Sequence, residues 1–294
     1  MHTSTCTHLR HRLVTLLILL VACVTGRAQD TTLLYRLTGP GLTQPSYLYG
    51  TFHLLCPNDL QITPATESAI HSTQQMYLEL DLDDPAMLAQ MQKSMFMTGG
   101  KTAKDLLSVA DYTLLDEYLK KNSQIGLAQV GGLKPVGLLS LMYMSMLNCP
   151  PASYDMTFAQ MASKEKKEVL GLETIDEQLA ALDKIPVDEQ LKGIIDMAKK
   201  PDEAKAEFAQ FLTVYKTHDV ARLTAAMKES KFDAGVNEYE NSLLRDRNLR
   251  WIPVMEKAAK AKPTFFAFGA GHLGGEQGVL NLLRQKGYTL TPVN

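Results

Sequence analysis

Two rhythms of apolar positions alternate along the chain. Short runs with β character at residues 33–37 and 46–50 are separated by Gly39-Pro40-Gly41 and predict two strands joined by a turn. Thr63-Pro64 opens a helix that runs toward Ser72, because proline suits the first helical turn. A third strand is expected over residues 75–80, Gln-Met-Tyr-Leu-Glu-Leu, with Glu79 its polar residue and Asp81 two positions further on the same face.

From residue 84 to about 161 the spacing turns helical. Within it, Ser108 and Asp111 form an Asp version of the capping box at the start of a helix over 108–121. Residues 138–147 carry Met142, Met144 and Met146, which either fill a helical core or line an adaptable pocket. Residues 167–172 read as a return strand that runs out at Gly171-Leu172-Glu173-Thr174, and residues 175–182 as a helix. Glu173 is thus a second carboxylate at a strand exit, with capping of the next helix as its plainer role. Residues 187–260 are predominantly helical, with Pro186, Pro201 and Pro253 as expected breaks. A strand at 263–268, a helix at 275–286 and a closing strand at 287–293 complete the chain. The expected fold is α/β (α+β): a central sheet built from two related halves at the chain ends, with a large helical insertion at about 84–161 and a second helical region at about 187–260.

The first 28 residues stand apart. His8, Arg10, His11 and Arg12 give a basic start, and residues 13–24 a short apolar stretch, as in a secretory signal peptide. Two ends to this leader are compatible with the residues. Cleavage after Gly26-Arg27-Ala28 leaves Gln29 first, whereas Leu20-Val21-Ala22-Cys23 resembles a bacterial lipobox in which Cys23 is a lipid anchor; the bulky Val24 favours the former. The apolar stretch is too short to span a bilayer, and no later segment reaches about 18 uninterrupted apolar residues. Residues 29–294 then form a single exported domain, periplasmic or secreted, free or as a lipoprotein.

Composition narrows the function by exclusion. With 45% hydrophobic and 21% charged residues and a net charge of −2, the chain has the make-up of an ordinary globular protein and no basic surface for nucleic acid. Even the densest charge run, Lys164 to Glu168, mixes signs and reads as a solvated helix face. Beyond the leader two cysteines remain, Cys56 and Cys149, either bridged in an oxidising compartment or buried as thiols. There is no Cys-Cys metal spacing, so any metal would be held by nitrogen and oxygen.

The chemistry concentrates in one repeated pattern, an apolar run ending in Gly-x-x-His. It occurs as Tyr47-Leu48-Tyr49-Gly50-Thr51-Phe52-His53 and again as Phe265-Phe266-Ala267-Phe268-Gly269-Ala270-Gly271-His272. Each reads as a buried strand feeding a glycine turn that places an imidazole just past the strand end, where open α/β sheets bind ligands. One strand-end histidine is more often structural, but two matching half-sites point to one shared centre. His53, His272 and Glu79 form the expected metal set, because neutral imidazole and carboxylate suit Mn, Co, Zn or Fe. Glu173 is left as a fourth ligand, a general base or a group that orients an imidazole. Arg247 and Asn248 either stabilise developing negative charge or belong to a surface ion-pair face with Arg245, Asp246 and Arg250. The glycines at 269, 271, 274 and 275 fit neither a Walker nor a Rossmann pattern and are better explained by close backbone approach around His272.

Together these residues resemble the TraB/GumN family, which also includes the Tiki-type metalloproteases. The resemblance rests on Tyr49-Gly50-Thr51-Phe52-His53, on Glu79, on Gly171-Leu172-Glu173-Thr174 with Gln178, on Arg247-Asn248, and on Gly269-Ala270-Gly271-His272-Leu273 followed by Gly287-Tyr288. It implies an α/β core of two related halves with helical insertions, and a metal-dependent protease with manganese or cobalt as cofactor. Carried over by position, His53, Glu79 and His272 are the catalytic or metal-binding residues. The expectation is therefore an exported metal-dependent hydrolase acting on a peptide or protein, with Glu173 as base and Arg247 stabilising negative charge. Two alternatives remain. One is a metal-independent, esterase-like hydrolase with a histidine base, resembling the erythromycin-esterase-like and ChaN-like relatives. The other is a noncatalytic periplasmic protein that binds a ligand, peptide or haem.

Overall fold

A computed structural model describes residues 31–232 and 238–294. The leader, with both of its alternative ends, lies outside the described residues. Six strands form one mixed sheet: β1 (Leu34–Thr38), β2 (Ser46–Thr51), β3 (Gln75–Leu78), β4 (Glu168–Gly171), β5 (Thr264–Gly269) and β6 (Thr289–Val293). Their order across the sheet is β4-β3-β5-β2-β1-β6, so the C-terminal strand β5 slots between two strands from the first third of the chain. The pairs β4·β3, β3·β5 and β5·β2 are parallel, whereas β1 runs antiparallel to both β2 and β6. The α/β sheet of two halves at the chain ends is therefore present, and the halves interleave.

Strand composition follows strand position. All six residues of β5, Thr-Phe-Phe-Ala-Phe-Gly, are buried, as a central parallel strand covered on both faces requires. Polar groups at the strand starts are internally satisfied. Ser46 Oγ accepts the Thr264 amide at 3.0 Å, and Gln75 Nε2 donates to Thr264 Oγ1 at 2.7 Å. These bonds fix the starting register of β2, β3 and β5, and so fix where the strands end.

The intervening helices include α1 (Pro64–His71), α2 (Pro85–Ser94), α3 (Ala103–Leu106), α4 (Val109–Ser123), α5 (Leu127–Val130), α6 (Pro135–Met146) and α7 (Tyr154–Lys164). After β4 come α8 (Ile175–Leu182), α9 (Val187–Lys199), α10 (Pro201–Tyr215), α11 (Val220–Lys228) and α12 (Asp246–Ala261), and α13 (Val279–Gln285) separates β5 from β6. Thr63 Oγ1 accepts the Thr66 amide with Pro64 in the first turn, and Ser108 Oγ accepts the Asp111 amide, although Asp111 reaches back to the Ser108 hydroxyl rather than its amide, so the expected capping box is half formed. Helices α7, α12 and α13 pack on the sheet around the main core, whereas α4, α6, α9 and α10 build a second core of their own. Met142 and Met146 fill that helical core, while Met144 is exposed.

Three sequence expectations need correction. Pro253 does not break the helix but lies inside α12. The carbonyl its missing N–H would have met belongs to Leu249, an exposed residue on the solvent side of the helix. The last helix starts at Val279 rather than residue 275, because Gly275 has φ +85° and a helix cannot run through that conformation. Gly50 is not a turn residue: it lies within β2, where its N–H donates to the Leu33 carbonyl at 2.9 Å.

Cys56 and Cys149 form a disulfide across 93 residues, and the neighbouring pair Leu55 and Ala152 bonds in both directions. The link ties the segment after His53 to the one leading into α7. Because it closes a long loop, replacing both cysteines by serine is expected to lower stability by about 2–4 kcal/mol, read as the change in chemical denaturation midpoint. An unchanged midpoint would contradict a formed bridge. A second expectation concerns Asp81, whose Oδ1 is the buried side-chain atom left without a hydrogen-bond partner among the described residues. Burial, with Asp83 beside it, raises its pKa to about 6. The folded chain therefore holds this proton more tightly than the unfolded chain, a stabilisation present in acid and lost as pH rises through about 6. Asp81→Asn is expected to melt higher than the parent at pH 8 by on the order of 1–3 °C, with the difference gone below about pH 4. An equal shift at both pH values would exclude this origin.

Candidate active site at the parallel strand ends

Four of the expected side chains lie just past the C-terminal ends of the four parallel strands: Glu173 after β4, Glu79 after β3, His272 after β5 and His53 after β2. Neighbouring strands that end at the same edge bring together residues distant in sequence. The β3·β4 pairing extends one step further, with the Glu173 amide donating to the Glu79 carbonyl at 3.1 Å, so the two carboxylates start side by side. On the other flank, β2 and β5 pair Gly50 with Phe268 and Thr51 with Gly269. The two Gly-x-x-His repeats are thus offset by one residue rather than in step.

That offset gives the two glycines different tasks. A Cβ on Gly50 would lie 2.5 Å from Leu273 Cδ1 and 3.1 Å from Ala270 Cα, so Gly50 lets the turn after β5 pack onto β2. A Cβ on Gly269 would lie 2.9 Å from His53 Nε2 and 3.2 Å from Glu79 Oε1. Gly269 therefore leaves the space in which the first histidine and the glutamate approach each other, and its own N–H donates to Glu79 Oε1 at 2.8 Å.

Arg247, on α12, occupies the middle of the site. Its Nη2 donates to Glu79 Oε2 at 2.6 Å and to Glu173 Oε1 at 2.5 Å, and its Nε donates to Glu173 Oε1 at 3.0 Å. Its Nη1 donates to the Leu243 carbonyl at 3.1 Å and to His272 Nε2 at 3.1 Å. A guanidinium has five N–H donors, and each has a partner here. The surface ion-pair face does exist on this helix: Asp246 pairs with Arg245 and Lys184. Arg247 and Asn248 turn inward instead and are buried. The turn just before them, Asn241–Arg245, is π-helical, a local irregularity of the kind found beside functional sites.

Glu173 is the anchor of this arginine. Besides Arg247 it accepts from Trp251 Nε1 at 3.2 Å and Gln178 Nε2 at 3.2 Å, and its side chain is 1% exposed. The cap of α8 is Thr174, which with Glu177 forms a capping box, so Glu173 does not serve that purpose. Gln178 also donates to Glu79 Oε2 at 3.1 Å, joining the two carboxylates a second time. Burial opposes ionisation of Glu79, but Arg247, both histidines and the Gly269 amide outweigh it and hold the carboxyl well below the usual range.

The two histidines differ. His272 is buried, its ring 4.4 Å from that of Trp251. Its Nε2 faces an arginine N–H and must accept, so Nδ1 carries the proton and donates to Asn248 Oδ1 at 2.6 Å. Asn248 is in turn oriented by donating to the Gln277 carbonyl. Burial and the Arg247 charge pull the His272 pKa down to about 3, which keeps the ring neutral. His53 is open on one side, its side chain 60% exposed, although cleft walls surround it. Its Nδ1 bonds to Asp155 Oδ2 at 2.8 Å, and Thr51 Oγ1 donates to the other Asp155 oxygen at 3.1 Å. Partial withdrawal from water lowers the His53 pKa, but Asp155 and then Glu79 reverse the sign and raise it to about 9.

The sequence pattern does not single out Asp155. It sits in the first turn of α7, where an acidic residue suits any helix, and its contact with His53 depends on the Cys56–Cys149 bridge and the Leu55·Ala152 pairing. The Cys56 and Cys149 pair is the available signal, because the Leu55·Ala152 pairing between the two segments runs through backbone and leaves no mark in the sequence.

His53 Nε2 and His272 Nε2 lie 3.7 and 3.9 Å from the same atom, Glu79 Oε1. In kind, two imidazoles and a carboxylate are a fitting donor set for a divalent ion. As arranged, Arg247 is bonded to His272 Nε2, and among the described residues no three His, Cys, Asp or Glu side chains stand at metal-binding spacing. Binding an ion here requires His272 to exchange its arginine bond for the ion, with Arg247 still held by two carboxylates. Above the histidines opens a cavity of about 400 Å³ with predominantly apolar walls. Neither Glu79, Glu173 nor Arg247 lines it.

The chain is similar to proteins of known name. It is 25% identical to Metalloprotease TIKI2 of Xenopus tropicalis over 83% of its own length and 57% of that protein. It is 24% identical to Metalloprotease TIKI1 of Danio rerio and to that of Homo sapiens, covering 83% of this chain and 60% and 59% of those proteins. The chain thus spans somewhat under two thirds of these relatives. No solved structure gives a significant match. Among the described residues no helix is long and apolar enough to cross a membrane. The model of the TraB/PrgY/gumN family matches residues 33–292, nearly the whole described chain, and the protein belongs to that family.

Proposed function

We propose that the chain is an exported, metal-dependent hydrolase that acts as a peptidase, with His53, Glu79 and His272 as the ion's ligands. The observation that carries this reading is the approach of both imidazole Nε2 atoms to one Glu79 oxygen at adjacent strand ends. The reaction class comes from relatives described as metalloproteases. Imidazole and carboxylate donors suit Mn, Co, Zn or Fe, and the resemblance to the Tiki-type metalloproteases is what implies Mn or Co first. When bound, such an ion supplies Lewis-acid activation of water and of the scissile carbonyl.

The chain's own residues prepare that chemistry. His272 is already neutral and presents Nε2, with Asn248 fixing its tautomer. His53 keeps its ring orientation through Asp155 and gives up a proton when it becomes a ligand. Arg247 and Glu173 act through Glu79 as positioning residues. Every Arg247 donor and both Glu173 oxygens are engaged, which supports a positioning role for both, while the Arg247 Nη1 donor that His272 releases on taking up an ion is the one free to stabilise negative charge. Export is supported by the leader-like composition of residues 1–28 and by the Cys56–Cys149 disulfide.

A second reading has an observation of its own. An imidazole with a carboxylate on Nδ1 and its other edge open to a cavity is also the arrangement of a general base, so His53 with Asp155 fits a metal-independent hydrolase. The test is metal content of the purified protein together with peptide cleavage before and after chelation and reloading with Mn²⁺ or Co²⁺. The leading reading expects about one bound ion per chain. It expects metal and turnover to fall at least about 100-fold in His53→Ala, His272→Ala and Glu79→Gln, and about 10- to 100-fold in Asp155→Asn. Cleavage indifferent to chelation, yet lost in His53→Ala, would select the metal-free enzyme. Ligand binding without turnover under any metal would leave a binding protein.

A further inference from the structure

The cavity above the histidines has a composition that the hydrolytic centre does not require. Its walls include Met197, Phe208, Phe211, Leu223, Met227 and Phe232, contributed by α9, α10, α11 and the segment after α11. Glu207 is the carboxylate among the lining residues, and it is engaged by its own chain. It accepts from Ser230 Oγ at 2.6 Å and from the backbone amides of Lys231 and Phe232 at 3.1 and 3.2 Å. Glu207 therefore fastens the segment that brings Phe232 over the cavity and offers no open charge to a ligand. The floor is Gly269, Ala270 and Gly271, next to His272, and at about 400 Å³ the space suits one large side chain with adjoining main chain.

We propose that this cavity is a specificity pocket for a bulky apolar side chain, so that the bond presented to His53 and His272 lies beside a Leu, Met or Phe residue of an extended peptide. The proposal builds on the peptidase reading and names its substrate class. A polar side chain entering this pocket would exchange water for predominantly apolar walls, whereas an apolar one gains the transfer free energy of its buried surface. Met227 is central to the selection. It is half-buried on α11, and its Cε would lie 2.8 Å from a Cβ placed on Gly271, which puts it against the histidine turn.

Binding tests the pocket separately from turnover. The full chain is titrated calorimetrically with N-acetyl-Ala-Leu-amide and N-acetyl-Ala-Asn-amide, whose side chains have nearly the same shape and opposite polarity. The Leu peptide is expected to bind at least about tenfold more tightly. Met227→Glu, at a half-buried position, is expected to raise the affinity for N-acetyl-Ala-Lys-amide itself by at least about tenfold over the parent, a gain that misfolding cannot mimic. Equal affinity of the parent for Leu and Asn peptides would overturn the proposal, as would a folded Met227→Glu protein that gains no affinity for the Lys peptide. A Leu preference without cleavage by the metal-loaded protein keeps the pocket and overturns the peptidase reading. Cleavage indifferent to the adjoining side chain does the reverse.

Discussion

The site depends on one buried cation. Arg247 is bonded to Glu79, Glu173 and His272, groups placed at the ends of three different strands, and it reaches them from a helix that packs against the sheet. Two carboxylates placed side by side in a protein interior repel each other and favour protonation. The guanidinium between them offsets that repulsion, holds the Glu79 carboxyl well below its usual range and gives both side chains fixed directions. Removing one member of such a buried network typically costs about 3–5 kcal/mol, because its partners are left as uncompensated charges. Trp251 adds to the confinement: its indole N–H bonds Glu173, and its ring lies 4.8 Å from the Arg247 guanidinium carbon. The strand ends, the helix α12 and the carboxylates are thereby a single mechanical unit.

A consequence is asymmetry between two motifs that look alike. The buried His272 receives an arginine N–H on one nitrogen and gives its proton to an amide on the other, which keeps it neutral. The open His53 has a carboxylate on one nitrogen and the cavity before the other, which favours the cation. The one-residue offset between β2 and β5 underlies the difference, since it buries Gly50 within a strand and leaves Gly269 at the edge beside His53 and Glu79. Similar local sequence therefore yields two chemical states.

Much of this is legible in the chain because buried parallel strands read as apolar runs, and a residue just past such a run stands at the edge where ligands bind. That logic reaches His53, Glu79, Glu173 and His272 without coordinates. It does not reach the direction of a helical side chain in a charge-rich segment. Arg245, Asp246, Arg247 and Asn248 are consecutive, yet two serve the surface and two the interior, a division set by how α12 packs on β5. Asp155 is hidden for a related reason: an acid in a first helical turn has a local explanation, and only the disulfide and the Leu55·Ala152 pairing bring it to His53. Pro253 misleads because the rule that proline ends helices assumes a carbonyl that cannot be solvated, whereas Leu249 is exposed.

The central claim is that the two Gly-x-x-His strands contribute to one centre around Glu79, supported from beneath by Arg247. It is tested most directly by anomalous diffraction at the cobalt edge from crystals of the protein grown with Co²⁺. A single strong peak is expected between the imidazoles of His53 and His272 and in contact with Glu79, with Arg247 withdrawn from His272 and still paired to Glu173. A peak at any other set of residues, or none while Arg247 remains bonded to His272, would contradict that claim.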